Sequence, residues 1–459
     1  GGRSITQNNL NYPWSAGAQL VLNIKGFYSR FDTPFLYTSV PLTIGVIAGA
    51  KYDRREQEEF YSGNVQFAIR YKRLVILAED YFKREVAYGS NQNAYHAQLG
   101  FLAIPKHLML AVDFGEYIAQ EYETFTSRGI LVVPPIPGQA EGAYGNVAAP
   151  PITSDPPDHH WHRRLILPVF SPQSVAKFEQ GTRDLCNQLI DEVIDKGTAD
   201  AAADYAQHIP VRVIATLLGV PLEMEADFTA WVRAALENIL DAEGRKWARK
   251  NIIEFFLAQV ADRKQNPRED DFITELMNTE VEGKVVPIEY VLGVCNLMLV
   301  AGVDTTWSAI GSCMWHMAQH PEHRKQLRDN PDLWPTAIEE LLRMYAPVTM
   351  ARIVDHDVEF QGCPMKAGDR ILMAFPAANR DPRQFENPDE VILDREHNRH
   401  VAFDSAIHRC AGSNLARLEV RVALQTWLER IPEFELVDKT DVTWAGGQVH
   451  GPRKCLVSF

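Results

Sequence analysis

A cysteine stands shortly before an amphipathic helix in the C-terminal part of the sequence. Cys410 lies in the segment FDSAIHRCAG, and the helical pattern SNLARLEVRVALQTWLERI follows it. Free backbone N–H groups at a helix N-terminus stabilise a thiolate, which is the form of cysteine that binds iron. A single cysteine is, however, more often a small buried apolar residue. Its position alone leaves a metal-binding thiolate and an inert core cysteine both open.

Polar residues interrupt a long apolar helical segment further upstream. Residues 301–306 read AGVDTT within VLGVCNLMLVAGVDTTWSAIGSCMW. A buried carboxylate beside a threonine costs free energy unless it is hydrogen-bonded, so Asp304 and Thr305 need a reason to be there. A local bond from a threonine hydroxyl to a helix carbonyl is the simplest reason, and a functional role is the other.

Two further patterns bring charged or titratable residues onto one helix face. The segment DPPDHHWHRR at 155–164 begins a helix that places His159 and Arg163 four residues apart. Its three histidines include no pair at this spacing, so we do not expect a metal site there. Glu340 and Arg343 are three residues apart, a spacing that usually gives a solvated surface pair.

Together these segments resemble the bacterial cytochromes P450. The cysteine segment matches the family's haem-binding pattern Phe-x-x-Gly-x-His/Arg-x-Cys-x-Gly at Phe403, His408, Cys410 and Gly412. The resemblance implies that Cys410 is the axial thiolate ligand of a haem iron and that the cofactor is haem b. The matches follow the family order from about residue 112 to residue 459.

The resemblance also assigns roles to the other patterns. It implies that the helix carrying residues 301–306 lies over the haem. There Ala301 lies against the cofactor, Gly302 leaves room for dioxygen, and Asp304 and Thr305 supply protons, with Thr306 as a less suitable substitute. The implied propionate ligands are His159, Arg163, Arg352 and His400. A buried structural network on the cysteine side is implied for Glu340, Arg343 and Arg395.

One position departs from the family pattern. Ala406 replaces the inner glycine of the cysteine segment. If the turn requires a positive φ there, the alanine adds strain of order 1 kcal/mol or more. We therefore expect a weakened affinity for haem.

The patterns around these residues predict a mainly helical domain. Amphipathic helical windows cover 176–196, 224–240, 245–263, 288–318 and 335–345, and strand-like runs lie around 352–375. A Pro/Gly-rich loop is predicted at 134–157. The expected fold class is mainly α with small β-sheets, the cytochrome P450 fold, for about 112–459.

The first part of the chain has a different pattern. Short alternating runs at 65–71 and 97–101, within residues 15–110, predict β-strands. They weakly resemble strands of an outer-membrane porin barrel, although a soluble antiparallel sheet fits the alternation equally well. We expect a β-rich segment over 1–110 and a haem-thiolate monooxygenase domain over 111–459.

Composition narrows the partners and the compartment. A net charge of -14 argues against nucleic-acid binding. Six scattered cysteines indicate neither a disulfide framework nor a zinc site, which favours the reducing cytoplasm. The longest apolar stretches, 39–50 and 291–303, are too short for a membrane-spanning helix, and no signal peptide is visible.

The function implied by the resemblance is oxygen insertion into an organic substrate. Haem and O2 would carry the reaction, and the electrons would come from a separate ferredoxin and an NAD(P)H-dependent ferredoxin reductase. Leu299, Val300 and residues 348–350 are expected to line an apolar substrate pocket. Two alternatives stay open: a haem-binding protein without turnover, and an outer-membrane channel fragment represented by the N-terminal strands.

Overall fold

The computed structural model describes two compact units. One comprises Gly1–Leu110 with His356–Asp369, and the other comprises Ala111–Asp355 with Arg370–Phe459. The described residues are the backbone of five strands within 14–101, then 123–127, 149–237, 241–281, 283–360, 363–446 and 448–459. The predicted join at 105–115 and most of the predicted loop 134–157 lie outside them.

The first unit contains a five-stranded antiparallel sheet in which sequence neighbours pair. Phe67 pairs with Ala78, for example, and Ala78 pairs with Ala97. The predicted strands at 65–71 and 97–101 are confirmed within the third and fifth strands. The five are β1 (Trp14–Lys25), β2 (Val40–Arg54), β3 (Glu59–Lys72), β4 (Leu74–Glu85) and β5 (Asn91–Phe101).

Helices dominate the second unit, as the amphipathic windows predict. They are α1 (Asp158–Ile166), α2 (Pro172–Ala176), α3 (Glu179–Asp191), α4 (His208–Leu218), α5 (Glu225–Leu236), α6 (Ala242–Gln265), α7 (Phe272–Asn278), α8 (Ile288–Gln319), α9 (Pro321–Asp329), α10 (Trp334–Met344), α11 (Phe375–Ala378) and α12 (Ser413–Arg430). A π-helical turn at Ala201–Ala206 precedes α4.

The remaining strands are short. In the second unit β6 (Phe125–Thr126) and β13 (Arg370–Met373) flank β10 (Met350–Val354), and β17 (Leu456–Ser458) lies between β7 (Thr198–Asp200) and β14 (Glu435–Leu436). Hairpins are formed by β8 (Glu280–Val281) with β9 (Lys284–Val285) and by β15 (Thr443–Trp444) with β16 (Pro452–Lys454). In the first unit, β11 (Val358–Phe360) pairs with β12 (Cys363–Met365).

The long helix α8 forms the centre of the second unit's core. Its Trp307 side chain is buried, and the indole N–H donates to the Ala202 carbonyl at 3.0 Å. Tyr205 from the same π-helical turn donates its hydroxyl to the Ala423 carbonyl of α12 at 2.8 Å. These bonds satisfy polar groups that would otherwise be costly to bury. They also set α8, which carries Asp304, and α12, which follows Cys410, against one scaffold.

Among the described helices, α8 alone is long and apolar enough to cross a membrane. The expectation that the apolar stretches are too short therefore does not hold for the whole of α8, while the expectation of no membrane-spanning helix stays a prediction. Most of its apolar side chains are buried within the unit, because α8 packs against other helices on several sides. A helix that is apolar all round is typical of a core position as well as of a membrane span.

A close backbone approach sets the position of α8 against the C-terminal hairpin. A Cβ atom at Gly451 would lie 2.5 Å from the Ser308 Cα atom of α8, whereas a Cβ at Gly446 would meet nothing within 4 Å. Contacts this short force backbone shifts.

We predict that Gly451→Ala lowers the free energy of unfolding by about 1–3 kcal/mol, because the added methyl group separates the hairpin from α8. Gly446→Ala is the matched control and should change it by less than about 0.5 kcal/mol. Denaturant titration followed by circular dichroism measures both, and an equal effect of the two substitutions would contradict the close approach.

Candidate active site

The segment around Cys410 folds into a compact loop that leads into α12. The Cys410 N–H donates to the Phe403 carbonyl at 2.8 Å, and the Arg409 N–H donates to the Ala406 carbonyl at 3.3 Å. These two bonds bring the ends of the segment together immediately before the N-cap residue Gly412. Cys410 therefore lies at the N-terminal end of α12, as the sequence pattern predicts.

Cys410 is exposed to solvent, although surrounding protein atoms partly desolvate its thiol. The other five cysteines are free thiols and are buried. Desolvation raises the pKa of the Cys410 thiol, while the Gly412 N–H and the Arg163 guanidinium act in the opposite direction. The effect of burial on the Cys410 pKa is larger than that of the helix N-terminus. A bound cation would therefore be needed to stabilise the thiolate.

Two residues of this loop have a left-handed backbone. Asp404 has φ 60° and Ala406 has φ 55°. The condition for strain at Ala406, a positive φ where the family pattern has glycine, is therefore met. The Asp404 carboxylate accepts from the Ser405 N–H at 2.7 Å and pairs with Arg352 at 3.1 Å, which compensates the strain locally. Ala406 has no side-chain bond to offer in compensation.

Basic and imidazole side chains cluster beside the cysteine loop. The His159 and His408 rings lie edge to face with centroids 4.6 Å apart, and His408 Nε2 contacts the Ser127 hydroxyl at 2.9 Å. Burial, followed by the charge of Arg352, lowers the pKa of His408 to about 3. Burial, followed by the charge of Arg163, lowers the pKa of His159 to about 4. Burial, with neighbouring positive charge as the second cause, therefore keeps both imidazoles neutral.

This cluster fits a ligand that carries carboxylates next to a metal. His159 is buried, and neither of its ring nitrogens has a hydrogen-bond partner among the described residues. Such a group is costly unless a ligand satisfies it. Arg163 donates to the Arg409 carbonyl and lies close enough to affect the Cys410 pKa. An accessible thiol, a guanidinium near it and a buried imidazole without a partner among the described residues are what a haem and its propionates require.

His400 differs from its expected role as a propionate ligand. Its Nε2 contacts the Glu339 carboxylate at 3.0 Å, and its Nδ1 accepts from the Ala402 N–H at 3.2 Å. Glu339 also accepts from Arg417 at 2.8 Å. Both ring nitrogens of His400 therefore have partners within the protein. Through its contact with Glu339, His400 positions the start of the cysteine loop.

The predicted buried network on the cysteine side is present. Glu340 and Arg343 are completely buried and form two bonds of 2.8 Å, and Arg395 donates to Glu340 at 2.9 Å. The Asn398 amide and the Ile392 N–H complete the bonds to the Glu340 carboxylate. This spacing gives a buried pair here because the segment 386–398 supplies donors that cover it.

Asp304 and Thr305 of α8 have different environments. The Thr305 hydroxyl donates to the Ala301 carbonyl at 2.6 Å, as the structural interpretation of the sequence predicts, and Ala301 itself is exposed. Asp304 is buried and forms an ion pair with Arg453 of β16, while its second oxygen has no partner among the described residues. Burial raises the pKa of Asp304 to about 6, although Arg453 lowers it.

Gly302 has a packing role in the structure. A Cβ atom there would lie 2.6 Å from the Ile214 Cδ1 atom of α4. The glycine thus lets α4 and α8 approach each other, in addition to the space for dioxygen that the resemblance implies. The buried Thr306 faces away from solvent.

The expected substrate-pocket residues divide into two groups. Leu299 is fully buried in the hydrophobic core, so its expected place in the pocket lining is wrong. Val300, Val348 and Thr349 are partly exposed, and Met350 is buried in β10. Val348 forms a bridge to Val449, which ties this part of the chain to the C-terminal hairpin.

Sequence reasoning missed three residues that hold the site together. Arg453 pairs with Asp304 and Glu237, Ser127 contacts His408, and Glu339 binds His400 and Arg417. The apolar surroundings of Asp304 signalled the need for a cation. They could not identify which of the 46 Lys and Arg residues provides it.

Comparison with known proteins places this geometry in a family. Residues 228–443 match the family described as Cytochrome P450. A probable cytochrome P450 127A1 from Sinorhizobium fredii is 35% identical over 343 residues, covering 74% of this chain and 80% of the relative. A mycinamicin IV hydroxylase/epoxidase from Micromonospora griseorubida is 32% identical, covering 66% of this chain and 77% of that one.

A solved structure agrees in fold. The crystal structure of CYP109E1 from Bacillus megaterium in complex with testosterone superposes with a TM-score of 0.69 at 27% identity, covering 76% of this chain and 91% of that chain. The mainly helical fold with small sheets expected from the sequence is thereby confirmed. With an accessible cysteine thiol at the start of α12, a buried Glu340–Arg343 pair and these relatives, the chain belongs to the cytochrome P450 family of haem-thiolate monooxygenases.

Proposed function

We propose that this monooxygenase inserts one oxygen atom of O2 into a moderately apolar organic molecule in the cytoplasm. Its electrons would come from a ferredoxin and an NAD(P)H-dependent ferredoxin reductase. The observation that carries the site assignment is the accessible Cys410 thiol, together with a His159 imidazole that has no hydrogen-bond partner among the described residues. The origin of the N-terminal sheet stays a prediction from its porin-like pattern.

The residues on the cysteine side would hold the cofactor. Haem, when bound, supplies the iron at which O2 is activated, and the thiolate's electron donation favours O–O cleavage. Cys410 would bind the iron through Sγ, and Arg163, Arg352 and His159 would donate to the propionates. His408 would line the cofactor site as part of the cysteine loop. Phe403 stacks on the Arg417 guanidinium with the cation 4.5 Å from the ring centroid. That contact and Gly412 hold the backbone of the loop close to the Cys410 sulfur.

The residues of α8 would handle protons. A pKa of about 6 allows Asp304 to take up and release a proton close to neutral pH. The Thr305 hydroxyl donates to the Ala301 carbonyl, which leaves its oxygen lone pairs free to accept a hydrogen bond. Asp304 would then pass protons toward the oxygen-binding site, and the Thr305 hydroxyl would orient the group that it accepts a hydrogen bond from. Arg453 would hold the Asp304 carboxylate in place between turnovers.

An apolar substrate is favoured by the partly exposed side chains that are expected to line the substrate pocket. Val300 and Val348 are partly exposed and apolar, and Thr349 is the polar exception. Relatives bear names that refer to organic compounds of several kinds: a mycinamicin IV hydroxylase/epoxidase, a nocardicin C N-oxygenase, and the protein crystallised with testosterone. A screen of substrate-induced spectral shifts that found only polar ligands would reject this proposal.

Haem binding without turnover is the second candidate, and the left-handed Ala406 is the observation in its favour. A strained loop could hold the cofactor too loosely for sustained catalysis. Substrate-dependent NADH consumption, with ferredoxin and reductase added, separates this candidate from the monooxygenase.

Haem-thiolate ligation by Cys410 predicts a specific spectrum. The dithionite-reduced protein under carbon monoxide should show the red-shifted Soret band typical of thiolate ligation, and Cys410→Ala should abolish it. Cys455→Ala, which removes a buried thiol, is the control and should retain the band. The same red-shifted band in Cys410→Ala would disprove the assignment.

Relief of backbone strain should tighten haem binding. Ala406→Gly removes the Cβ penalty at φ 55° and should slow haem transfer to apomyoglobin by about fivefold, equivalent to roughly 1 kcal/mol. Ala411→Gly, at a neighbouring position without a positive φ, is the control and should not slow transfer. A faster loss of haem from Ala406→Gly than from the parent protein would contradict the strain.

Removal of the Arg453 charge should alter the pH dependence of turnover. Arg453→Met takes away the cation that lowers the Asp304 pKa, so the inflection assigned to Asp304 should move upward by roughly one unit. Reductase-supported oxygen consumption between about pH 5.5 and 8.5 measures the shift.

Arg233→Met provides the matched control for that experiment. Arg233 also pairs with Glu237, at 3.1 Å, and also lies over the Trp307 ring, but its effect on the Asp304 pKa is the smallest of those that act on it. Its pH profile should therefore follow that of the parent. Equal shifts in the two variants would show that Arg453 has no specific influence on Asp304.

A further inference from the structure

Three histidines meet where α8 ends and α9 begins. One ring nitrogen from each of His316, His320 and His323 lies within 4.8 Å of the other two. The rings are nearly parallel, with centroids 4.2 to 5.2 Å apart. His316 lies twelve residues beyond Asp304 along α8, which is roughly 18 Å at the helical rise. The cluster is therefore separate from the oxidation site.

Two of the three histidines have their second ring nitrogen bonded to another group. His316 Nδ1 contacts the Tyr345 hydroxyl at 2.7 Å, and His320 Nδ1 contacts the Glu322 carboxylate at 2.8 Å. Metal-binding histidines characteristically make such an outer bond, which orients the ring and selects its tautomer. Inside the cluster, His316 Nε2 and His323 Nδ1 are 2.9 Å apart. One shared proton now joins two nitrogens that could both bind a cation.

The protonation state of the cluster suits a metal. Burial, together with the two neighbouring histidines, lowers the pKa of His316 to about 2, and burial lowers the pKa of His323. Neutral imidazole is the form that coordinates metals. The His316 side chain is buried, while His320 and His323 are partly exposed. An ion could therefore reach the three nitrogens from solvent and keep a water molecule as a further ligand.

We propose that His316, His320 and His323 bind one Zn²⁺ ion, with water in the fourth position. Three imidazoles around a tetrahedral ion are an established zinc ligand set. Binding would join the end of α8 to the start of α9. Through Tyr345, which follows α10 directly, it would also fix the helix that carries Glu340 and Arg343. The bound ion should therefore stabilise the folded protein.

Titration of zinc chloride into the haem-loaded protein, prepared without a polyhistidine tag, tests the proposal. Isothermal titration calorimetry should give one site per chain, and the melting temperature should rise with zinc concentration. The double variant His320→Gln/His323→Gln should lose both effects while keeping the parent's haem spectrum. It retains the buried His316, so the core helix is not perturbed.

Two further variants separate this site from adventitious binding. Glu322→Gln weakens only the outer bond to His320 and should lower zinc affinity roughly 10–100-fold. His397→Gln removes a single exposed histidine elsewhere and should leave the affinity unchanged. The proposal is overturned if the double variant binds zinc as tightly as the parent, or if the folded parent binds none.

Discussion

The part of this enzyme that leads to the Cys410 loop depends on the buried hydrogen-bond network around the Glu340 carboxylate. The carboxylate accepts hydrogen bonds from Arg343, Arg395, Asn398 and the Ile392 N–H. The Arg343 guanidinium also donates to the carbonyls of residues 379, 388 and 390. Removal of one partner from such a buried pair costs about 3–5 kcal/mol, since the other charge is left uncompensated. The network thus fixes the segment that leads to the cysteine loop.

The part of the site on α8 contains a second buried carboxylate, Asp304, which has fewer hydrogen-bond donors around it than Glu340. Glu340 has enough donors that its pKa is lowered despite its burial. Asp304 pairs with Arg453, but its second oxygen has no partner among the described residues, and burial raises its pKa to about 6. Complete satisfaction makes the first a structural anion. Partial satisfaction leaves the second able to exchange a proton near neutral pH.

Local patterns predicted the elements well because their signals are local. The helical periodicity of 288–318 and 335–345 reappears in α8 and α10, and the positive φ at Ala406 follows from the glycine that the pattern expects there. Leu299 was placed incorrectly, and His400 has partners that its expected role does not include. Both concern where a side chain points after packing, and that depends on neighbours such as Glu339 which are distant in sequence.

The sequence by itself determined which residue types stand at the chemical positions: Cys410 before a helix, Glu340 three residues from Arg343, and Asp304 beside Thr305. Those relations span a few residues, so backbone geometry alone sets them. Only the tertiary structure decided that Arg453, 149 residues away, pairs with Asp304, and that Gly302 accommodates Ile214. Such partners are selected when helices pack, because burial makes each charge and each cavity find its complement among all the groups that the fold brings near.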